Sequence, residues 1–256
     1  MTKLSIVIPT YNEEKRIEAS LSKMKAYLET NDYDYEIVVS DDGSTDTTPQ
    51  VIKNLQKDWK NLILQKNPHR GKGSALISGV KVVSKDYVYL ADADLSVSIE
   101  EMPKFLVWIT ENSYDIAIAT REGTGAMRVN EPYMRHFMGR IFNLIVQLVI
   151  LPGINDTQCG FKLFKTKVAK DVFNHTLLYT AKDPVIKKGR LGAFDVEFIY
   201  VAKKMGYKIK EVPVTWVYGE ESKAHKLRDS YYNTVDVLRV RINSWKGLYP
   251  SKRSSK

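Results

Sequence analysis

Two aspartates separated by one residue, Asp92 and Asp94, have the spacing in this sequence that most suggests chemistry. They follow the β-prone run YVYLA at residues 87–91, so we expect a short buried strand to end beside them. Because side chains at positions i and i+2 of an extended backbone point the same way, the two carboxylates are predicted to converge. Oxygen ligands suit Mg²⁺ or Mn²⁺, which also bind substrate phosphates. The pair therefore predicts a metal site for a diphosphate substrate.

The composition limits the partners of this chain of 256 residues. A net charge of +9 favours anionic partners, but the basic residues are scattered rather than gathered into one stripe, so we expect no nucleic acid. The single cysteine, Cys159, leaves no internal disulfide and fits a reducing compartment as a buried thiol. No signal peptide and no run long enough to cross a bilayer are visible, so the predicted location is the cytoplasm.

Segments typical of strands and helices alternate along the chain. The predicted strands cover residues 4–8, 36–40, 62–65, 87–91, 115–120 and 208–217, with helices between them. This alternation predicts an α/β fold with a doubly wound, mostly parallel sheet, whose ligands bind at the carboxyl ends of the strands. Polar clusters follow those ends. Pro213 indicates that the last strand lies at an edge of the sheet.

Each polar cluster also has a purely structural interpretation. Ser98 and Glu101 are spaced as a capping box, so the Asp-x-Asp stretch could simply turn the chain into a helix. Asp41 and Asp42 could cap the following helix, and the GKG run at residues 71–73 could be an ordinary tight turn. That run lacks the upstream glycine and the Lys-Ser/Thr pair of a phosphate-binding P-loop.

Two helical segments in the second half leave their environment open. Residues 132–151 are mostly apolar, with Asn143 and Gln147 forming a thin polar stripe. Such a helix is either buried in the protein or lies in a membrane interface. Near the end of the chain, one helix face carries four apolar residues and the tail is basic, which suits docking on the core or on an anionic leaflet. These four are Val235, Leu238, Ile242 and Trp245. We predict that a main α/β domain at residues 1–228 is followed by this amphipathic helix and its basic tail at residues 229–256.

In their order along the chain, these motifs resemble the GT-A fold glycosyltransferases of family 2, which use nucleotide sugars. The broad motifs are PTYNEE at 9–14, DDGSTD at 41–46, GKG and DAD. The more specific ones are DTQCGFKLF at 156–164, FDVE at 194–197, EVPV at 211–214 with Trp216, and Ser222 with Lys223. They are similar to the dolichyl-phosphate β-glucosyltransferases, with dolichyl-phosphate mannose synthases as near relatives. The mannose synthases carry an arginine shortly before the loop that contains the Ser-Lys pair, here Ser222 and Lys223. Residues 216–218 of this chain contain no arginine, which favours the glucosyl branch.

The resemblance implies a set of binding residues for a nucleotide diphosphate sugar, with an acid of the Asp41–Asp42 pair on the base. It also implies that Asp92 and Asp94 hold the metal. The fold expected is a GT-A type sheet with C-terminal amphipathic helices. The full set of nucleotide-sugar contacts is Pro9, Tyr11, Glu13, Asp41, Asp42, Lys72, Asp92 and Ala93.

The reaction implied is inverting transfer of a hexose, with UDP-glucose favoured, to a polyprenyl (dolichyl) phosphate on the cytoplasmic face of a membrane. A phosphate monoester is already mostly anionic at neutral pH, so the site needs cations rather than a strong base. Arg121, Arg135, Lys162 and Lys223 are the candidate cations, and Asp156 is expected to orient one of them. The alternatives are a GDP-mannose-dependent mannose synthase, or a transferase acting on a sugar or protein hydroxyl with Asp195 as its base.

Overall fold

A central sheet of seven strands dominates the computed structural model, which describes residues 1–180, 185, 192–219 and 226–251, with the backbone alone at 226–230. The strands of this sheet are β1 Lys3–Thr10, β2 Asp34–Asp41, β3 Leu62–Lys66, β4 Tyr87–Leu90, β5 Ile116–Thr120, β7 Lys162–Lys165 and β8 Ile209–Pro213. Two short strands, β6 Met127–Val129 and β9 Thr215–Val217, form a separate parallel pair. The order across the large sheet is β3-β2-β1-β4-β7-β5-β8.

Helices cover both faces of the sheet. They are α1 Ile17–Thr30, α2 Thr48–Leu55, α3 Lys72–Val82, α4 Met102–Thr110, α5 Tyr133–Val149, α6 Thr166–Asn174, α7 Phe194–Lys204 and α8 Lys226–Trp245, with a one-turn 3-10 helix at Ile99–Glu101. One hydrophobic core lies beneath α1, α2 and α4, and the other beneath α3, α5, α6, α7 and α8. In β1, Ile6 and Ile8 enter the first core while Val7 enters the second. A strand buried on both faces needs a continuous apolar run, as β1 has.

The prediction of an α/β fold with a mostly parallel sheet is confirmed, with one strand reversed. β7 runs antiparallel to both of its neighbours, β4 and β5. The chain leaves the carboxyl end of β5, passes through β6 and α5, and returns to the same edge of the sheet. It can then enter the sheet only in the opposite direction. This reversal brings residues 156–161, which precede β7, to the edge where the parallel strands end.

The single strand predicted at residues 208–217 is wrong. It divides at Val214, so that β8 pairs with β5 in the large sheet and β9 pairs with β6. Pro213 ends β8, which lies at the edge of the sheet as expected. Val97 forms an isolated antiparallel bridge with Trp216. The strand that carries Trp216 is therefore tied to the Asp-x-Asp segment rather than to the large sheet.

The C-terminal helix α8 shares the main core. Val237 and Val240 are fully buried in the same cluster as residues of α5 and α7. The face named from the sequence points the other way, because Leu238, Ile242 and Trp245 are 48%, 44% and 72% exposed. The division of the chain into a main domain at residues 1–228 and a C-terminal segment at residues 229–256 stays a prediction. No helix in the described part of the chain is long and apolar enough to cross a bilayer.

Candidate active site

A cavity of about 650 Å³ opens at the edge where the parallel strands end. Its walls come from segments far apart in the sequence: the ends of β1, β2, β4 and β5, the starts of α3 and α7, the segment before β7, and faces of α5 and α8. This is the edge at which open α/β sheets bind ligands. The predicted site residues that line it are Pro9, Tyr11, Glu13, Asp42, Lys72, Asp92, Ala93, Asp94, Arg121, Arg135 and Asp156.

A turn, not a strand, positions the Asp-x-Asp pair. β4 ends at Leu90, and Asp94 accepts hydrogen bonds from the main-chain N and the Oγ of Ser96, at 2.9 and 2.7 Å. Leu95 has a φ of 50°, in the left-handed region, so the backbone is not extended here. The prediction that strand alternation makes the two carboxylates converge is therefore wrong. Both aspartates nevertheless line the cavity.

Asp92 is held by a lysine and by a close backbone approach. The Nζ of Lys72 lies 2.5 Å from Oδ1 of Asp92. Burial disfavours both charges, but their attraction outweighs it, lowering the pKa of Asp92 and raising that of Lys72. On the other side, a methyl group added to Gly160 would overlap the Asp92 carboxylate. Gly160 is thus a site residue that the motif spacing did not single out.

The two aspartates fit a divalent cation as part of its ligand set. Among the described residues, no group of three or more histidine, cysteine, aspartate or glutamate side chains could hold a metal ion. Mg²⁺ and Mn²⁺ do not need such a cage, since they take one or two carboxylates and complete their shell with substrate phosphates and water. Asp92 and Asp94 supply the hard oxygen donors for this arrangement. A cation there would compete with Lys72 for the Asp92 carboxylate.

The Asp42 carboxylate organises the next part of the cavity. It accepts hydrogen bonds from the main-chain N–H groups of Arg70 and Gly71, at 2.9 and 2.8 Å, and lies 2.7 Å from Nδ1 of His69. The His69 ring stacks on Tyr11 with centroids 4.0 Å apart and planes 3° from parallel. Burial nonetheless raises the pKa of Asp42. The sequence argument missed His69, although it directly precedes the Arg-Gly-Lys-Gly run.

Asp41 does not line the cavity, which corrects its place among the predicted nucleotide contacts. It ends β2, is 2% exposed, and accepts bonds from the hydroxyl of Thr10 and from the main-chain N and hydroxyl of Ser44. These bonds brace the loop after β1 against the loop after β2. Of the pair Asp41 and Asp42, only Asp42 lines the cavity.

Arg121 and Asp156 form a bidentate ion pair in another part of the cavity wall. Nε and Nη2 of Arg121 lie 2.7 and 2.9 Å from the two carboxylate oxygens, and the Arg121 main-chain N donates a third bond at 3.0 Å. Burial works against both charges, but Arg121 holds the pKa of Asp156 below its usual value. A bidentate pair fixes the guanidinium plane. The geometry agrees with an orienting carboxylate, and its part in the chemistry stays a prediction.

Helix α5 brings Arg135 over two aromatic rings. Its guanidinium carbon lies 5.7 Å from the centre of the Trp216 ring and 4.9 Å from that of Tyr218. The guanidinium carbon of Arg121 lies 5.2 Å from the centre of the Trp216 ring. Cations over aromatic faces at these distances are attracted by the ring quadrupole. The sequence offered no arginine at residues 216–218. The fold instead places one there from residue 135.

The remaining predicted cations differ in their surroundings. Lys162 is fully buried on β7, with Nζ 2.6 Å from Oδ1 of Asp195, and does not line the cavity. This corrects the prediction that the Lys162 ammonium contacts the acceptor phosphate. It instead pairs, from the protein interior, with the carboxylate of Asp195, which lines the cavity. Lys223 lies outside the described residues. Burial raises the pKa of Cys159 to about 12, so that thiol is protonated at neutral pH.

The fold is that of the GT-A class of glycosyltransferases. The family model for glycosyl transferase family 2 matches residues 5–173. The chain therefore belongs to that family and is a glycosyltransferase.

A sequence relative and two solved structures illustrate the likeness. The dolichyl-phosphate β-glucosyltransferase of Mus musculus is 32% identical over 99% of this chain and 79% of its own. The mannosyl-3-phosphoglycerate synthase of Rubrobacter xylanophilus has a TM-score of 0.68 at 17% identity, over 99% of this chain and 77% of its own. The glucosyl-3-phosphoglycerate synthase of Mycobacterium tuberculosis, solved with Mn²⁺, UDP and glucosyl-3-phosphoglycerate, has a TM-score of 0.63 at 17% identity, over 98% of this chain and 81% of its own.

Proposed function

We propose that this enzyme transfers glucose from UDP-glucose to a dolichyl or similar polyprenyl phosphate, with inversion at the anomeric carbon. The observation that carries the proposal is a single cavity lined by two groups of cations, which we call the Lys72 end and the arginine end. The first is Lys72 beside the Asp-x-Asp turn, and the second is Arg121 with Arg135 over Trp216. Two anionic groups must meet in this reaction, namely a sugar diphosphate and a lipid phosphate. The name of the mouse relative supports glucose and dolichyl phosphate.

The donor diphosphate binds at the Lys72 end. Lys72 then gains phosphate oxygens as partners, and Asp92 and Asp94 hold the divalent cation. That cation, when bound, stabilises the negative charge that develops on the leaving nucleoside diphosphate. The main-chain N–H groups of Arg70 and Gly71 are already taken by Asp42, so the loop before α3 is braced before any ligand arrives.

The acceptor phosphate binds at the arginine end. One of its oxygens attacks the anomeric carbon from the side opposite the diphosphate, the new C–O bond forms as the bond to the diphosphate breaks, and no proton needs to be removed. Arg121 is held in a fixed plane by Asp156, and Arg135 by its aromatic platform. Fixed guanidinium groups bind a phosphate with little reorganisation.

A hydroxyl acceptor would need a base, and Asp195 is the carboxylate placed for it. Its Oδ1 lies 2.6 Å from the Nζ of Lys162, which is fully buried. Burial raises the pKa of Asp195, which favours uptake of a proton, but the buried Lys162 ammonium would then lose its counter-ion, which is costly. The phosphate acceptor is therefore the better fit to this cavity.

We further propose that an apolar ridge on α5 and α8 lies on the cytoplasmic leaflet of a membrane. The ridge consists of exposed side chains, and Arg140 and Arg239, themselves 47% and 54% exposed, flank it with positive charge. Apolar residues beside cations are the pattern of helices that lie in anionic bilayer surfaces. The same helix α5 carries Met134, Arg135 and Met138 into the cavity wall, so a polyprenyl chain can follow it from the leaflet. The ridge comprises Tyr133, Met134, Phe137, Ile141, Leu144, Leu148, Leu238, Ile242 and Trp245.

One turnover experiment tests the chemical part of the proposal. The purified enzyme with Mn²⁺ or Mg²⁺ is offered UDP-glucose and GDP-mannose, each with dolichyl phosphate and with a soluble hydroxyl acceptor, and the products are identified by mass spectrometry and anomeric NMR. We expect β-glucosyl phosphate lipid from UDP-glucose. Preferred use of GDP-mannose would move the enzyme to the mannose synthases, and transfer only to the hydroxyl would establish the alternative acceptor.

Flotation with liposomes tests the membrane part. We expect binding to vesicles that contain anionic phospholipid and loss of binding in the double variant Leu144→Glu, Leu148→Glu. Val107→Glu is the matched control, because Val107 is 43% exposed on α4, away from the ridge. Equal binding by both variants, or no binding by the parent protein, would contradict the proposed surface.

A further inference from the structure

An asparagine on the inner face of α5 is buried without a protein partner. Asn143 is 8% exposed and lies between the core residues Phe142 and Val146 on the helix, yet its side chain forms no hydrogen bond with any described residue. It lines the cavity. Its amide is not among the fully buried polar atoms that lack a partner, so it opens into the cavity rather than into the core.

A second amide faces the same cavity from α8. The Oδ1 of Asn233 is buried and has no hydrogen-bond partner in the described part of the chain, and the residue lines the cavity as Asn143 does. The two helices pack against each other, so the amides belong to neighbouring walls. Two buried amides with free hydrogen-bonding groups in one cavity indicate a polar ligand rather than a packing accident.

The position of Asn143 along α5 separates it from the phosphate end. Arg135, Gly139 and Asn143 follow one another at intervals of four residues, share one stripe of the helix, and all line the cavity. Eight residues of α-helix correspond to about 12 Å. Gln147, the next residue of the stripe, does not line the cavity. The helix thus presents a cation at one end of its cavity-facing stripe and a neutral amide at the other.

The chemistry of the cavity wall at Asn143 and Asn233 fits a sugar ring. A phosphate would require cations and a prenyl chain would require an apolar wall, whereas a hydroxyl group donates and accepts, as an amide does. Asp195 lines the same cavity and adds a carboxylate, and the Nζ of Lys72 lies 6.0 Å from the centre of the ring of Phe194, the residue before it. This places it within electrostatic range of the diphosphate end, where the hexose is attached.

We infer that Asn143 and Asn233, together with Asp195, bind the hydroxyl groups of the transferred hexose and determine which hexose the enzyme uses. The inference rests on the proposed function, because it assumes a nucleotide sugar in the cavity. Asn143 and Asn233 belong to none of the motifs that carry the resemblance. Asn143 and Asn233 act on the ground state and on the transition state through the sugar, and they do not touch the base or the lipid phosphate.

The test separates sugar binding from nucleotide binding. The variants Asn143→Ala, Asn143→Leu and Asn233→Ala are compared with Gln147→Ala, which alters the same stripe outside the cavity. Affinities for UDP and UDP-glucose are measured by calorimetry with Mn²⁺, and kcat/KM is measured for UDP-glucose and UDP-galactose. We expect each asparagine variant to lower kcat/KM for UDP-glucose by about tenfold, the loss of one or two hydrogen bonds, and to narrow the preference over UDP-galactose. Affinity for UDP should stay unchanged.

Stability gives a second readout. Asn143→Leu replaces a cavity-facing amide by an apolar group of similar size, so its melting temperature should match that of the parent protein. A lower melting temperature with unchanged sugar kinetics would assign Asn143 to packing and overturn the inference. So would a parallel loss of UDP and UDP-glucose affinity. If the parent protein binds no UDP-sugar, the proposed function fails; if it does and the asparagine variants behave as Gln147→Ala, only the hexose site fails.

Discussion

The two ends of the cavity are built in different ways. At the donor end, Asp42, Lys72 and Asp92 each stand within two residues of the end of a strand or the start of a helix, and each belongs to a short motif visible in the sequence. At the acceptor end, Arg121 follows β5, while Arg135 comes from the first turn of α5 and Trp216 from a strand outside the main sheet. A site built on strand ends is readable locally, whereas one built on a helix face depends on how that helix packs.

The strongest way to break the donor end is to remove its metal ligand. We expect Asp94→Ala to lower transfer by about a thousandfold or more, because the developing charge on the diphosphate loses its cation. The melting temperature should change little, since Asp94 is exposed and its hydrogen bonds go to Ser96 alone. Glu111→Ala is the matched control, because it removes an exposed carboxylate that does not line the cavity. Steady-state assays with and without chelator decide the matter, and a fully active Asp94→Ala enzyme in chelator contradicts the assignment.

At the acceptor end, Arg135→Ala should slow transfer to the lipid phosphate by about a hundredfold, since a charge-assisted contact in a preorganised site is worth about 2 to 4 kcal/mol. Hydrolysis of UDP-glucose by water should change little. Arg140→Ala is the control, because Arg140 lies on the same helix, pairs with Glu122, and does not line the cavity. Measuring both reactions separates the ends. If hydrolysis falls in parallel with transfer, Arg135 serves the donor, and the division into two ends is wrong.

Gly160 offers a subtler test of the boundary between the ends. In Gly160→Ala the new methyl group overlaps the Asp92 carboxylate, which must move from its place beside Lys72. We expect about a tenfold loss of kcat/KM for the donor and a weaker dependence of activity on metal concentration. Gly139→Ala is the control, since an added Cβ there meets nothing within 4 Å. Metal titrations of activity compare the two variants, and identical titration curves would show that Asp92 tolerates the displacement.

The smallest expected effect is on the pH dependence of the free energy of unfolding, through the buried carboxyl of Glu197. Glu197 accepts hydrogen bonds from the main-chain N–H groups of Leu177 and Leu178 and from the hydroxyl of Tyr249, and burial raises its pKa from 4.5 to about 7. The folded state therefore binds a proton that the unfolded state releases. Its stabilising contribution is fully present below pH 4.5 and is lost as the pH rises through about 7.

Glu197→Gln should remove this pH dependence. Between pH 4.5 and 7 the free energy of unfolding of the parent should fall by about 3 kcal/mol more than that of the variant, which is the shift in pKa converted to energy. Urea titrations at several pH values measure the difference. Transfer kinetics at neutral pH should be similar in both proteins. Parallel stability curves would place the carboxylate in a wetter environment than its 1% exposure indicates.

The fold class and most of the donor end follow from the sequence alone. Apolar runs such as Leu4 to Ile8 favour strands buried on both faces, and their alternation with helices favours parallel pairing, which holds for every strand of the large sheet except β7. Parallel strands end at one edge, so the residues that follow them must meet there, and Asp42, Lys72, Asp92 and Asp94 do so. The cavity-lining Arg121 was also predicted in this way, because it follows β5.

The faces that the helices bury and the positions of the later strands depend on long-range packing, which local sequence patterns do not specify. The pattern of α8 shows two apolar faces, and packing against α5 and α7 buries Val237 and Val240 while leaving Trp245 exposed. The same packing turns Arg135 toward Trp216 and Asn143 into the cavity. The reversal of β7 buries Lys162 against Asp195. A helix periodicity specifies the angles between side chains but not the partner that each one meets, because that partner comes from a distant part of the chain.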